Sequence, residues 1–236
     1  MAIKLSISGI RGKFHELTPN RVVNYTQAFA TYMGGGDIIM GADLRPSGKF
    51  IAEAAVAGLN SCGANVIDYG ILPTPILQWL IKKYKFDGGV SITAGHNSFD
   101  WNSLIFLDGD GSYLTHLEGE EFFNIYHSGK FDKKGYDKQG TYSKGDHHDA
   151  GLYYNYLTGY FESLKTEDRT GRKLKLVFDC SNGFHSGIIE VLAQVLDVKL
   201  IPVFCGESAV LQKDPVPNTV NAEFLATIVR ETGSDG

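Results

Sequence analysis

The sequence predicts an α/β protein with mixed, mostly parallel sheets sandwiched by helices, one complete domain being followed by an incomplete second α/β domain. Two observations carry this. Short β-prone apolar runs at residues 4–8, 37–41, 64–69 and 88–93 alternate with segments whose apolar residues recur at helical spacing. Such alternation marks βα units, which build parallel sheets. A polar, glycine-punctuated stretch, SGKFDKKGYDKQGTYSKGDHHDAG, then interrupts the rhythm and divides the chain into 1–130, a linker or exposed excursion at 131–150, and 151–236.

Each helix has its own signals. The first is expected to begin at LTPN, with Thr18 as N-cap and Pro19 in the first turn, and to run to Met33, where GGG stops it. The second starts near Pro46, since Phe50, Ile51, Ala54, Ala55, Gly58 and Leu59 form one stripe. A third, 74–84, follows PTP, and a fourth covers 116–127. Beyond the linker, a helix over 150–164 leads to the strand LKLVFD, the turn CSNG, a helix over 183–196, the strand VKLIPVF and a helix from Asn221. This second βαβα sheet is too short to look finished.

Composition narrows the classes of function. The 236 residues are 43% hydrophobic and 21% charged, which is ordinary for a globular chain. A net charge of -5 gives no general attraction to nucleic acid or to anionic membrane, so neither is expected as a partner. No signal-peptide pattern and no run of about 18 apolar residues occurs, and a soluble, cytoplasmic protein is expected. Cys62, Cys180 and Cys205 are odd in number and lack CxxC spacing, so they are read as reduced and structural.

Four junctions hold residues capable of chemistry. SGIRG follows a strand and sets Arg11 between glycines, where a guanidinium can grip a phosphate with two parallel hydrogen bonds or simply be solvated at a turn. GADLRPS places Asp43 and Arg45 two apart, a spacing equally suited to a mutual pair and cap. GILPTP is a stiff turn that starts a helix. In TAGHNSFDWN, His96 and Asn97 lie in a loop at the carboxyl end of a strand, the place where open α/β sheets bind ligands. DGDGS lacks the ligand spacing of an EF-hand and is expected to form a hairpin turn. DHHD falls in the linker, solvated.

Together SGIRG, GADLRPS, GILPTP, TAGHN and DWNSLIF resemble the first domain of the α-D-phosphohexomutases, the phosphoglucomutase, phosphomannomutase and phosphoglucosamine mutase superfamily. VFDCSNGFHSG resembles the start of its second domain, so the likeness spans essentially the whole chain as an amino-terminal half. The resemblance implies an isomerase of carbohydrate metabolism that moves phosphate within a hexose phosphate, between the 1- and 6-positions. It does so through a phosphoserine, with Mg²⁺ as cofactor and hexose 1,6-bisphosphate as activator. It also implies Arg11, His96, Asn97 and Asn102 as ligand-binding residues, with Arg11 and His96 close to the chemistry.

Two positions depart from that pattern. The family's phosphoserine position is Gly95, which has no oxygen to phosphorylate, and its lysine position is Ile105. Ser98 and Thr93 are alternative nucleophiles, but reacting atoms must come within about 3.5 Å. The aspartate-rich Mg²⁺ loop of the family is expected beyond ETGSDG, which leaves no metal ligands in this chain. The 236 residues alone are therefore expected to be inactive. The alternative is a non-catalytic sugar-phosphate-binding or structural subunit, and an unpaired sheet edge calls for further carboxy-terminal domains or a dimer mate to cover it.

Overall fold

The computed structural model describes residues 4–6, 9–146, 148–164, 172–181, 186–205 and 215–236. The chain divides into two compact units, Met1–Gly95 with Phe99–His147, and His96–Ser98 with His148–Gly236.

In chain order the first unit holds β1 (Lys4–Ser6), β2 (Gly9–Lys13), α1 (Pro19–Met33), β3 (Gly36–Ala42), α2 (Gly48–Ser61), β4 (Ala64–Ile71) and α3 (Thr74–Tyr84). It continues with β5 (Gly88–Ile92), β6 (Trp101–Leu107), α4 (His116–Ser128) and β7 (Tyr142–Lys144). The strands form one sheet in the order β1-β2-β6-β5-β3-β4-β7. β3 pairs in parallel with β4 and β5, and β4 pairs in parallel with β7. The β1-β2, β2-β6 and β5-β6 pairs are antiparallel.

Alternation along the strands divides the apolar residues between two faces. Ile10, Ile38, Met40, Val66, Val90, Ile92, Leu104 and Phe106 pack in one buried cluster with Phe29 of α1, Ile51 and Leu59 of α2 and Phe122 of α4. Phe29, Phe106 and Phe122 meet as a trio, with ring centroids 4.7 to 6.4 Å apart. On the other face α3 buries Ile76, Leu77, Leu80 and Ile81. Gly89 keeps β5 close to α3, since a Cβ there would lie 2.8 Å from Ile81 Cδ1.

Local chemistry sets the helix ends. α1 has Thr18 at its N-cap and Pro in its first turn, and Gly34 ends it in the left-handed region at φ 72°. The Thr18 side chain makes no capping bond. Thr115 instead forms the capping box of α4, with its hydroxyl accepting from the Glu118 N–H and the Glu118 carboxylate accepting from the Thr115 N–H.

Several expectations need correction. Gly9–Lys13, read as a turn around Arg11, form a strand that pairs antiparallel with β1; Lys4–Ser6 form a strand as expected, and residues 7–8 lie outside the described residues. Trp101 and Asn102, read as the end of the loop, instead open β6. Phe50 does not join the α2 stripe. α2 starts at Gly48, so Phe50 sits in its first turn at 57% exposure, while Ile51, Ala54, Ala55, Gly58 and Leu59 are buried. The segment 131–150 is not wholly an excursion, because Lys134 N–H donates to Ser61 O, Gly140 N–H donates to Asn60 O, and β7 completes the sheet. DGDGS makes the expected turn, Gly111 N–H donating to Asp108 O at 2.8 Å.

The second unit has α5 (His148–Ser163), β8 (Lys175–Asp179), α6 (Ser186–Leu196), β9 (Lys199–Val203) and α7 (Thr219–Thr232). β8 and β9 pair in parallel, Lys175 opposite Lys199 through Asp179 opposite Val203. On the other edge of β8, Asp235 N–H donates to Lys175 O and Val177 N–H donates to Gly236 O. Asp149, read as solvated within DHHD, is buried in the first turn of α5. The expected start of the second helix of this unit at residue 183 lies outside the described residues.

The reading of all three cysteines as reduced is overturned. Cys180 and Cys205 form a disulfide with Cα atoms 4.9 Å apart, and Cys62 is free and buried. The parallel strands explain it: each cysteine follows one of two adjacent strands, and Cys180 N–H donates to Val203 O. No described helix is long and apolar enough to cross a membrane.

Candidate functional site

β5 is buried along its whole length between β3 and β6, so the segment that leaves its carboxyl end emerges from the middle of the sheet. Two other connections meet it there. Asp43, just after β3, donates its N–H to Ile92 O at 2.9 Å, and Leu72, just before α3, donates to Ala42 O at 3.0 Å. The Thr74 and Ser91 hydroxyls lie 2.7 Å apart.

Gly95 is held at both of its backbone groups. Its N–H donates to Thr93 Oγ1 at 3.0 Å, and its carbonyl accepts from Arg45 Nη2 at 3.1 Å. Thr93 Oγ1 donates in turn to Asp43 Oδ2 at 2.8 Å, and the same carboxylate oxygen pairs with Arg45 Nη1. Arg45 N–H donates to Asp43 Oδ1 at 3.0 Å, which closes the ring. Arg45 is 7% exposed, so this ion pair is largely withdrawn from solvent. The backbone of Thr93 is fixed independently, donating to Ser103 O at 3.2 Å and accepting from Ser103 Oγ. Gly95 adopts φ +55°, and a Cβ there would meet nothing within 4 Å.

Arg11 lies in the middle of β2, opposite Ser103 of β6. Ile10 points into the core, so alternation puts Arg11 on the other face of the sheet. Its Nε is buried and has no hydrogen-bond partner among the described residues. A buried guanidinium N–H without an acceptor is costly, and an anion reaching it would supply one. Further along β2, Lys13 Nζ lies 2.6 Å from Asp100 Oδ2, and this hydrogen bond holds the half-buried lysine above its ordinary pKa. Phe14 N–H donates to Asp100 O, tying β2 to the start of β6.

Asn102 is fully buried and spends its amide inside the fold, Nδ2 donating to Ser47 Oγ and Oδ1 accepting from Ser103 N–H. It anchors the start of α2 to β6. Ile105 is half-buried opposite Ser91, with no charge to offer. Gly9 comes so close that a Cβ on it would stand 2.2 Å from the Leu104 carbonyl oxygen. His96, Asn97 and Ser98 form the turn after Gly95 and group with the second unit; His96 is exposed, and Asn97 and Ser98 are half-buried.

The first unit thus brings Thr93, Gly95 and Ile105 to the end of β5, with Arg11 beside Ser103 across β6 and Asn102 on the opposite face, turned to Ser47. Asp43 and Arg45 were legible as a pair, but their hold on position 95 was not. Their spacing was the available signal, and the partners lie 50 residues further on. Among the described residues no group of three or more His, Cys, Asp or Glu side chains could hold a metal ion. Mg²⁺ takes several oxygen ligands, and the described residues do not supply them.

Comparison with known proteins agrees with this fold. Residues 3–133 match the family model described as phosphoglucomutase/phosphomannomutase, alpha/beta/alpha domain I. A Thermococcus kodakarensis protein named "Probable phosphoglucosamine mutase" is 33% identical over 97% of this chain and 49% of its own length. A phosphoglucosamine mutase of Thermoanaerobacter pseudethanolicus is 31% identical over 100% of this chain and 52% of its own. The chain therefore spans about half the length of the curated relatives it matches. Among solved structures, a phosphoglucomutase/phosphomannomutase family protein from Burkholderia thailandensis has the same fold, with a TM-score of 0.76 at 21% identity over 98% of this chain and 52% of that one. With the family model covering more than half of its residues, the chain belongs to the phosphoglucomutase/phosphomannomutase family.

Proposed function

We propose that the chain binds a hexose phosphate at the carboxyl end of β5 and, as these 236 residues, does not turn it over. Arg11 of the first unit grips the phosphate. Residue 95 occupies the family's phosphoserine position. The observation that carries this reading is Gly95, whose surroundings leave room for a side chain but whose residue type supplies no hydroxyl. Ile105 at the family's lysine position removes a second reactive group. The rescue nucleophile nearest in sequence, Thr93, has its hydroxyl engaged by both Asp43 and the Gly95 amide.

Titration calorimetry with hexose 6-phosphates, paired with intact mass after exposure to hexose 1,6-bisphosphate and Mg²⁺, tests the proposal. We expect saturable binding that Arg11→Ala weakens at least tenfold, roughly the effect of losing one charged hydrogen bond, and no gain in mass. A phosphoryl group added to the chain would overturn the non-catalytic reading. Wild-type and Arg11→Ala titrations that coincide would overturn the ligand.

A further inference from the structure

We propose that Thr93, Asp43 and Arg45 form a clamp that sets the conformation of residue 95, and with it the course of the chain as it leaves β5. The idea rests on the ligand reading given above, but its first readout does not.

A loop that offers polar groups to a ligand loses affinity when it must be ordered at the moment of binding, and preorganisation removes that cost. A glycine at φ +55° following a strand is the place where such a loop has most freedom to lose. Here both backbone groups of that glycine are engaged by side chains rather than by a sheet or helix ladder. Each of those side chains is fixed in its turn. Thr93 is pinned to β6 through its own backbone, Asp43 is pinned to β5 through its N–H, and Arg45 is buried against the Asp43 carboxylate. Two segments 50 positions apart, one after β3 and one after β5, thereby meet on one residue that itself remains exposed. The buried arginine that pairs with Asp43 also extends a nitrogen to an exposed loop carbonyl, and that second bond holds the loop in place.

The Thr93 hydroxyl is the link that can be cut with least change of shape. It accepts from Gly95 and donates to Asp43, so valine removes both bonds at nearly constant volume and serine keeps both. Thr93, Asp43 and Arg45 are positioning residues on this account, because they act through residue 95.

The test uses the full chain as wild type, Thr93→Val and Thr93→Ser, and measures exchange of the Gly95 amide, affinity for hexose 6-phosphate, and melting temperature. The clamp predicts that Thr93→Val speeds Gly95 exchange at least tenfold and weakens binding about tenfold, while melting shifts by only a few degrees. Thr93→Ser should restore both readouts. Unchanged Gly95 exchange in Thr93→Val overturns the clamp whatever the ligand does. Faster exchange with undiminished affinity overturns its role in binding. Faster exchange in a protein whose wild type binds no hexose phosphate supports the clamp and sinks the ligand reading instead.

Discussion

A Cβ placed on Gly58 would stand 2.0 Å from the Thr26 hydroxyl oxygen, with the Val23 carbonyl oxygen 2.7 Å away. α1 and α2 therefore approach as closely as backbone allows, and the Thr26 hydroxyl cannot retreat easily because it donates to Val22 O at 2.9 Å. Gly58→Ala is expected to destabilise the protein by about 1–3 kcal/mol through overpacking. Gly119 in α4 is the control, since a Cβ there meets nothing within 4 Å. Gly119→Ala should stabilise by roughly 0.5–1 kcal/mol. Urea unfolding of the two variants checks the opposite signs, and shifts in the same direction would contradict the packing described.

Arg45→Met keeps much of the side chain's bulk and removes its charge. It leaves the Asp43 carboxylate without its cation and the Gly95 carbonyl without its donor. Breaking one side of a buried ion pair costs about 3–5 kcal/mol. The Asp43 side chain keeps 24% exposure, so the lower end of that range is expected. The midpoint of urea unfolding reads it directly.

Asp110 gives a pH signature. Its carboxylate accepts from the Ser112 hydroxyl at 2.5 Å and from the Ser112 N–H at 2.8 Å, and these bonds hold its pKa below the ordinary aspartate value of 3.8. A lowered folded-state pKa means that the unfolded chain binds the proton more readily. The contribution to stability is therefore present above pH 3.8 and lost as pH falls through the lower folded value. NMR titration should place the Asp110 midpoint below 3.8, and Ser112→Ala should move it up. A midpoint unaffected by Ser112→Ala would contradict the assignment.

The Cys180–Cys205 disulfide closes a segment with a sequence separation of 25. A loop of that size loses enough freedom in the unfolded chain for the bond to stabilise by about 3 kcal/mol. Added reductant should lower the unfolding midpoint of the wild type and leave a Cys180→Ser, Cys205→Ser double variant unmoved. Equal sensitivity of both proteins would mean that the cysteines are not joined.

Much of the first unit was legible because its signals are local. Pro19 and Gly34 bracket α1, the PTP run opens α3, and the apolar runs of β3, β4 and β5 stand out from their surroundings. β2 was not legible. Its residues, GIRGK, carry neither alternation nor β-branched bulk beyond Ile10, and they become a strand because β1 and β6 flank them. Phe50 misled for a related reason: helical spacing fixes a face only once the first turn of the helix is known.

At the site, sequence identified the members but not their use. Asn102 was expected to meet ligand, yet a fully buried amide must satisfy itself within the fold, and it does so on Ser47 and Ser103. The bonds from Arg45 to Gly95 and from Thr93 to Asp43 span 50 positions each, and only the pairing of β3 with β5 brings those positions together. The disulfide was hidden in the same way, since two cysteines after different runs become neighbours only when β8 and β9 lie side by side.

β7 has a consequence for crowded solutions. A sheet's last strand offers unpaired amides and carbonyls on which a neighbouring molecule can start a strand of its own. Beyond β4 that flank is closed by three residues, all exposed and ending in Lys144. Gly145, next along, is pressed so close to Tyr69 that a Cβ would meet the ring at 2.6 Å. An incoming chain would find a template only a few residues long with a charge at its end. Resistance to intermolecular sheet growth on this flank thus resides in a polar segment whose composition marked it as mere connection.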